Sequence, residues 1–427
     1  MPTMQEAVFE LKCASQNYHW GKIGKDSEVA SLLSSGNSSF VVEDQTRYAE
    51  LWMGTHPSGP SVIVIPGKPS KPLSEWVSEN PDKLGNSVKE KFGGSLPFLF
   101  KVLSVDKSLS IQAHPNKSHA EELHRRDPKN YKDPNHKPEM AIALTDFTGL
   151  CGFRPIAEIA QFIKEIPELK AVIGQENGNK LVSASQSDKS SVHEEALRAS
   201  FSALMRQDRD IVQTELKKLV DRVKSIETSE GDISSYVGDI LLKLDREFPG
   251  DVGGFSIYFL NVMRLHKGDT IFLEANLPHA YLSGDCMECM ACSDNVVRAG
   301  LTPKFIDTET LVQMLNYNGK PAQDNIFQPS SVEENGCNIR KFNPPIQDFA
   351  VTEIRIPAGV KCTNLAAMNS ASIVICIKGT ASLNNQSLTQ SIQVQRGTVL
   401  FISANEETAL QMSSENGMLL YRAHAGC

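Results

Sequence analysis

Apolar and polar residues alternate along the chain with two different periods. Pro97 to Val105 form an apolar run that suits a buried strand, and Lys107 to His114 then alternate between apolar and polar residues. Because strand side chains repeat every two residues, Gln112 and His114 fall on the same polar face. Met140 to Leu144 form a second strand-like run. The pattern predicts a β-rich first part of the chain.

From Pro155 onward the apolar residues follow a helical period. Pro155 suits the first turn of a helix. Further on, apolar residues step by three and four, as one stripe of an amphipathic helix does, at Leu197, Phe201 and Leu204 and then at Val212, Leu216, Leu219 and Val223. We therefore predict a helical insertion with an internal loop at Ser183 to Ser191. Glycines and a proline near residue 250 mark the return to strands.

A weak internal repeat lies 129 residues apart, where Lys267 to Asn276 resembles Arg396 to Asn405. Both copies have a glycine turn, an apolar strand and an Ala-Asn bend, which indicates two related β-barrels of cupin type. His279 of the first copy falls opposite Thr408 of the second, so we expect a metal only in the first barrel. The predicted fold is mainly β, with two cupin-type (jelly-roll) barrels and a helical domain. Its predicted parts are 1–153 (catalytic barrel, first part), 154–254 (helical insertion), 255–340 (catalytic barrel, second part) and 341–427 (C-terminal barrel).

Composition and charge restrict the classes of function. The chain has 427 residues, of which 40% are hydrophobic and 22% charged, and its net charge is −8. A mildly acidic globular protein has no general affinity for nucleic acid or anionic membrane, so any phosphate that it binds requires a local basic site. The start of the chain does not resemble a secretory signal, and no apolar run is long enough to span a bilayer. Nine cysteines without framework spacing indicate reduced thiols. These features predict a cytoplasmic protein.

Four residues form a candidate metal site. Gln112 and His114 offer an oxygen and an imidazole nitrogen from one strand face, and Glu139 opens the next strand with a carboxylate. His279 adds a second imidazole from the repeated segment. Two nitrogens and two oxygens suit zinc better than manganese or cobalt, and a single carboxylate leaves the ion enough charge to act as a Lewis acid. We therefore expect one Zn²⁺ per chain.

A second metal-like motif, formed by Cys286, Cys289 and Cys292, has C-x-x-C-x-x-C spacing. The usual ferredoxin run has a fourth cysteine followed by proline, which is missing here. Structural thiols are the favoured interpretation.

Two segments closely resemble type I phosphomannose isomerases. They are Tyr131 to Glu139 and the longer run from His279 to Lys304. Further matches occur at Trp20-Gly21, Ala49 to His56, Phe100 to Leu103 and Gln112 to Lys117. The resemblance is dense up to about Asp307, whereas the C-terminal barrel resembles the family only in outline.

The resemblance implies a zinc-dependent enzyme that interconverts mannose 6-phosphate and fructose 6-phosphate through an enediol, and that supplies mannose 6-phosphate for GDP-mannose synthesis. It carries the zinc ligands over to Gln112, His114, Glu139 and His279, the set reached from residue chemistry. It implies ring opening for His136 and proton handling or substrate orientation for Lys137. We further expect a monomer or weak homodimer.

Other polar residues are candidates for contact with the sugar phosphate. Lys101 interrupts an apolar strand, and a buried lysine can have a lowered pKa and act as a base near neutrality. Arg298 and Lys304 are candidate phosphate ligands with Ser110 as a hydroxyl partner, although Arg298 is also a candidate for acting on the reacting oxygens. Glu288 and Asp294, within the second family segment, are further candidate substrate ligands.

Two alternative functions remain open at this point. One is a non-catalytic protein that binds metal and sugar phosphate as regulatory ligands. The other is a different metal-dependent cupin enzyme, such as an oxygenase or a glucose 6-phosphate isomerase. Oxygen uptake with iron, or a preference for glucose 6-phosphate, would distinguish these enzymes.

Overall fold

The computed structural model describes residues 7–413 and 415–427. Its strands up to the helical insertion are β1 (Val8–Lys12), β2 (Ala14–Gln16), β3 (Lys22–Ile23), β4 (Arg47–Tyr48), β5 (Glu50–Met53), β6 (Val62–Val64), β7 (Lys71–Pro72), β8 (Phe98–Val105), β9 (Ile111–Ala113), β10 (Glu139–Ala143) and β11 (Phe147–Phe153). The strands after the insertion are β12 (Leu260–Leu265), β13 (Thr270–Leu273), β14 (His279–Ala291), β15 (Val297–Gly300), β16 (Ser330–Glu334), β17 (Cys337–Phe342), β18 (Ala350–Ile356), β19 (Cys362–Leu365), β20 (Ser372–Lys378), β21 (Ala381–Asn384), β22 (Ile392–Val394), β23 (Val399–Ile402), β24 (Thr408–Met412) and β25 (Met418–His424).

The α-helices fall into three groups along the chain. Those before the insertion are α1 (Glu28–Gly36), α2 (Leu73–Glu79), α3 (Asn86–Phe92) and α4 (Lys117–Arg126). The insertion contains α5 (Ile156–Glu165), α6 (Pro167–Ile173), α7 (Gln175–Ala184), α8 (Ser190–Met205), α9 (Arg209–Thr228), α10 (Gly238–Glu247) and α11 (Gly253–Ser256), and α12 (Thr308–Met314) follows the first barrel. Among the described residues, no helix combines the length and apolarity needed to cross a lipid bilayer.

The first barrel is built on a ten-stranded sheet with the order β12-β11-β14-β8-β5-β2, to which β10, β13, β9 and β15 are added. The central strand β14 is long and pairs with β8, β9, β10 and β11. Strand β8 is buried over its whole length, as the apolar run predicted. Strand β9 is shorter than the alternating pattern predicted, because regular pairing covers only Ile111–Ala113.

The helical insertion connects two neighbouring antiparallel strands, β11 and β12. The predicted apolar stripe is buried, with Leu197, Phe201 and Leu204 on α8 and Val212, Leu216, Leu219 and Val223 on α9. The loop between α7 and α8 falls within the predicted polar stretch. A helical period in the sequence therefore identified the insertion correctly.

The second barrel combines a nine-stranded sheet, β16-β17-β18-β25-β20-β23-β1-β6-β7, with a four-stranded sheet, β19-β24-β21-β22. The N-terminal strand β1 belongs to it, since Val8 pairs with Ile402 and Glu10 with Val64. Strands β16 and β17 lie at the opposite edge of this sheet from β6 and β7. The sheet therefore takes strands from both ends of the chain, a connection that the local sequence patterns did not indicate.

Backbone conformation supports the predicted internal repeat. Gly268 and Gly397 have φ values of 92° and 86°, and Asn276 and Asn405 have φ values of 66° and 63°. Each glycine turn leads into an equivalent strand, β13 or β23, and His279 and Thr408 each begin the strand that follows. The two barrels are thus related copies of cupin type, and the mainly β fold with a helical insertion is confirmed.

Candidate metal centre and substrate groove

Two imidazoles and one carboxylate meet inside the first barrel. His114 follows β9, Glu139 begins β10 and His279 begins β14, so their convergence depends on the pairing of three strands. Their ligand atoms all lie within 4.8 Å of one another, and all three residues are buried. The Nε2 of His114 is 3.4 Å from Oε1 of Glu139, and that of His279 is 3.3 Å from Oε2.

Hydrogen bonds on the far side of each ring orient the two histidines. The Nδ1 of His114 lies 2.7 Å from the carbonyl oxygen of Asn295, and the Nδ1 of His279 lies 2.9 Å from that of Leu277. A carbonyl only accepts, so each Nδ1 carries the hydrogen and each Nε2 presents a lone pair to the cluster. Both Nε2 atoms and Oε2 of Glu139 are buried without a hydrogen-bond partner. Such a donor set fits a divalent metal.

The ionisation of the cluster also fits a cation. Burial lowers the pKa of His114 to about 4, which keeps this ring neutral at pH 7. Burial acts to raise the pKa of Glu139, but the nearby positive charge of Lys137 acts against it, and the pKa lies well below its ordinary value. A neutral imidazole and a carboxylate are the ligand forms that zinc binds.

Gln112 lies beside this cluster in the strand pairing. It is directly opposite His279 on β14 and opposite Arg298 on β15. Directly opposed residues of antiparallel strands project to the same face, so Gln112 shares a face with both. The four predicted metal ligands are therefore brought to one region of the barrel.

A groove of about 610 Å³ lies next to the cluster. Of the predicted residues, Lys101, Lys137, Asp294, Arg298 and Lys304 line it. The Nζ of Lys137 lies 3.3 Å from Oε1 of Glu139, which connects the groove to the metal ligands. Arg298 is half-buried, and burial lowers its pKa.

Other predicted substrate residues lie outside the groove lining. His136 is held by Asp348, with Nε2 at 3.0 Å and 3.1 Å from the two carboxylate oxygens. Glu288 is buried, contacts Lys101 and accepts a hydrogen bond from Tyr281 at 2.8 Å. Ser110 immediately precedes β9 and is not among the lining residues.

The environment of Lys101 differs from the expectation. Its Nζ lies 3.2 Å from Glu50 and 3.1 Å from Glu288, and the side chain is 9% exposed. Burial acts to lower the pKa of Lys101, but the carboxylates of Glu50, Glu288 and Glu139 outweigh it and raise the pKa above its ordinary value. The expected lowering of this pKa was wrong, because the prediction considered burial without the two flanking carboxylates.

Several lining residues were missed from the sequence. Glu50 and Trp52 alternate on β5 and line the groove together with His56, Lys129 and Lys132. Trp52 lies opposite Lys101 in the strand register, and Lys101 Nζ is 5.1 Å from the centre of a Trp52 ring. The sequence did contain one signal for this lining: Glu50 is a charged residue within an otherwise apolar segment.

The cysteine motif lies on an extended strand rather than around a metal. Cys286 and Cys289 are both on β14, three residues apart. Side chains at this spacing point to opposite faces, and the two thiols pack in different hydrophobic clusters. The strand thus separates these thiols, as expected for structural residues.

Two β-barrels, one of which gathers imidazole and carboxylate ligands beside a basic groove, define a cupin-type metalloprotein. Family models for type I phosphomannose isomerase match residues 8–156 (catalytic domain), 172–260 (helical insertion domain) and 342–384 (C-terminal). The chain belongs to the type I phosphomannose isomerase family.

Individual relatives agree over almost the full length. Mannose-6-phosphate isomerase of Macaca fascicularis is 47% identical, over 97% of this chain and 98% of the relative. That of Schizosaccharomyces pombe is 41% identical, over 97% and 99%. A mutant of phosphomannose isomerase from Salmonella typhimurium has a TM-score of 0.79 at 30% identity, over 99% of this chain and 100% of that one. A zinc-bound mannose 6-phosphate isomerase structure has a TM-score of 0.78 at 30% identity, over 98% of this chain and 99% of that one.

Proposed function

We propose that this chain interconverts mannose 6-phosphate and fructose 6-phosphate and binds one zinc ion through Gln112, His114, Glu139 and His279. The observation that carries the proposal is the convergence of three buried ligand atoms without hydrogen-bond partners, on His114, Glu139 and His279. They lie next to a groove that contains several cationic side chains. Near-complete coverage by mannose-6-phosphate isomerases supports the same substrate.

The reaction requires a hydrogen to move between two neighbouring carbons of the open-chain sugar. When bound, zinc supplies a Lewis acid that polarises the substrate oxygens. Lys137, held beside Glu139, is the closest cationic group to the ligand set and is placed to exchange or orient the proton. Arg298, opposite Gln112 in the register, is placed to stabilise negative charge on the sugar oxygens. We propose that the intermediate is an enediol.

A dianionic phosphate needs a positive site on a protein whose net charge is −8. Lys304 lies in the groove at an exposed position, with Lys129 and Lys132 also in the lining. These residues support phosphate binding in the groove. Ser110 and His136 do not line it, so their proposed roles require the substrate to reach beyond the lining residues.

The proposal also includes a wider cellular role. We propose that the chain is cytoplasmic, acts as a monomer or weak homodimer and supplies mannose 6-phosphate for GDP-mannose synthesis. We also propose residues 154–254 as a separate helical domain, since its helices supply most of one hydrophobic cluster, which they share with strands of the first barrel.

The decisive test is a coupled isomerase assay on mannose 6-phosphate before and after removal of metal. We expect activity to disappear with the metal and to return when zinc is restored. His279→Ala should abolish the activity, whereas His266→Ala, at a side chain that is 86% exposed, should retain it. Full turnover by protein verified to be metal-free would contradict the proposal. A faster reaction with glucose 6-phosphate would assign a different isomerase.

A second experiment separates the two lysines. Hydrogen exchange between C2 of the substrate and solvent is followed in a single turnover with Lys137→Met and Lys101→Met. Because Lys137 adjoins the ligand set while Lys101 is held between two carboxylates, we expect Lys137→Met to lose most of the exchange. Normal exchange in both variants would exclude both lysines as the base.

A further inference from the structure

The interior of the second barrel contains a buried arginine. Arg422 lies on β25 and is 3% exposed. Its Nε donates to Ser372 at 2.8 Å, and its Nη1 donates to the carbonyl of Ala366 at 2.8 Å. The remaining nitrogen, Nη2, is buried without a hydrogen-bond partner. Two of the three nitrogens therefore fix the guanidinium, while the third has no hydrogen-bond partner among the described residues.

No carboxylate among the described residues forms an ion pair with Arg422. Burial lowers the pKa of Arg422 to about 10, so the side chain stays cationic at pH 7. Arg340 and Arg355, on neighbouring strands, both form ion pairs with Glu353. They show the usual arrangement, in which a cationic side chain has a carboxylate partner. A buried cation without a counter-charge is costly unless an anion accompanies it.

A cavity of about 180 Å³ opens beside Arg422. Lys341 and Thr352 also line it. These three residues lie in one row across the sheet, because Thr352 pairs with Lys341 on β17 and with Arg422 on β25. Directly opposed residues share a face, so the row presents two cations and a hydroxyl to the same space. Glu334 is the single carboxylate among the described lining residues, and it is exposed.

We infer that this cavity binds a small tetrahedral oxyanion, either inorganic phosphate or the phosphate group of a small metabolite. The planar guanidinium offers directed donors to phosphate oxygens, and Lys341 adds charge at the opening. The cavity shares no lining residue with the groove of the first barrel. The site is therefore a second anion site, separate from the proposed isomerase centre.

Diffraction from crystals of the full chain soaked in selenate, a tetrahedral oxyanion with an anomalous signal, locates the anion directly. We expect a selenium peak in the cavity, within hydrogen-bonding distance of Nη2 of Arg422. Crystals in chloride at the same ionic strength provide the control. A peak confined to the groove of the first barrel would overturn the inference.

Hydrogen–deuterium exchange of the backbone amides, measured in solution, tests the same site without a crystal. Inorganic phosphate should slow exchange in β17 and β25, and mannose 6-phosphate should do so at lower concentration if the natural ligand is a sugar phosphate. Lys341→Met, at an exposed position, should weaken the effect about fivefold through loss of one charged hydrogen bond. Lys361→Met, an exposed lysine of the same barrel outside the cavity lining, is the matched control. The inference would be overturned if Lys341→Met and Lys361→Met bound phosphate equally well, or if neither anion slowed amide exchange in β17 and β25.

Discussion

At the scale of the residue, the neighbouring charged groups determine the ionisation and the role of a buried charged side chain. Lys101 and Arg422 are both buried cations, but Lys101 lies between Glu50 and Glu288 while Arg422 has no paired carboxylate among the described residues. The sequence showed that Lys101 is unusual in an apolar strand. The sequence did not show that Glu50 lies beside Lys101, because the contact between β5 and β8 is not local in sequence.

Lys101→Met should lower the free energy of unfolding by about 3 kcal/mol, because it leaves two buried carboxylates without their common cation. Denaturant titration followed by circular dichroism measures this loss. Lys89→Met is the control, since Lys89 pairs with Asp82 at an exposed position and should change stability by less than about 1 kcal/mol. Similar stability of the two variants would contradict the assigned role of Lys101.

At the scale of the element, repeated turns and strand registers position both sites. The glycine turn of the repeat was predictable, since its φ value requires glycine and its position recurs. The length of β9 was not, because pairing with β14 and β15 depends on distant residues. His114 belongs to the cluster of candidate metal ligands although it lies just outside the regular strand.

Gly397→Ala should be strongly destabilising. Its φ is 86°, and an added Cβ would lie 1.9 Å from the carbonyl oxygen of Leu32. Gly359 has a similar φ of 89° but open space around it, so Gly359→Ala should cost only about 1 kcal/mol. Thermal unfolding of the two variants separates backbone strain from the clash. Equal melting temperatures would show that the turn rearranges freely.

The carboxylate of Glu353 should make the second barrel sensitive to acid. Burial acts to raise the pKa of Glu353, but the hydrogen bonds from Arg355 and Tyr421 outweigh it, so the pKa lies below its ordinary value. The native state then binds fewer protons than the unfolded state, and the stability is complete above the unfolded pKa of about 4.3 and is lost as pH falls further. Glu353→Gln should cost about 2 kcal/mol at pH 7.

Unfolding free energies of the wild type and Glu353→Gln at several pH values check this sign. The difference between the two proteins should be constant above pH ~5 and should shrink below pH ~4. A difference that grows as the pH falls would contradict the lowered pKa.

At the scale of the whole molecule, chain connectivity was the hardest feature to predict. Period changes identified the helical insertion, and the repeat identified two barrels. Pairing of β1 with β23 joins residues almost 400 positions apart, and no local pattern reports such a contact. The candidate metal ligands could be proposed from the sequence mainly because a family resemblance singles out their positions, whereas the groove lining depends on how whole strands and loops assemble.

The central claim is that one zinc ion occupies the point where His114, Glu139 and His279 converge. Anomalous diffraction at the zinc absorption edge, from crystals of the purified chain, tests this most directly. We predict one peak per chain, bonded to Nε2 of both histidines and to Glu139, with Gln112 as the remaining protein ligand. Fully occupied zinc elsewhere in the chain, with no metal between these side chains, would contradict the account.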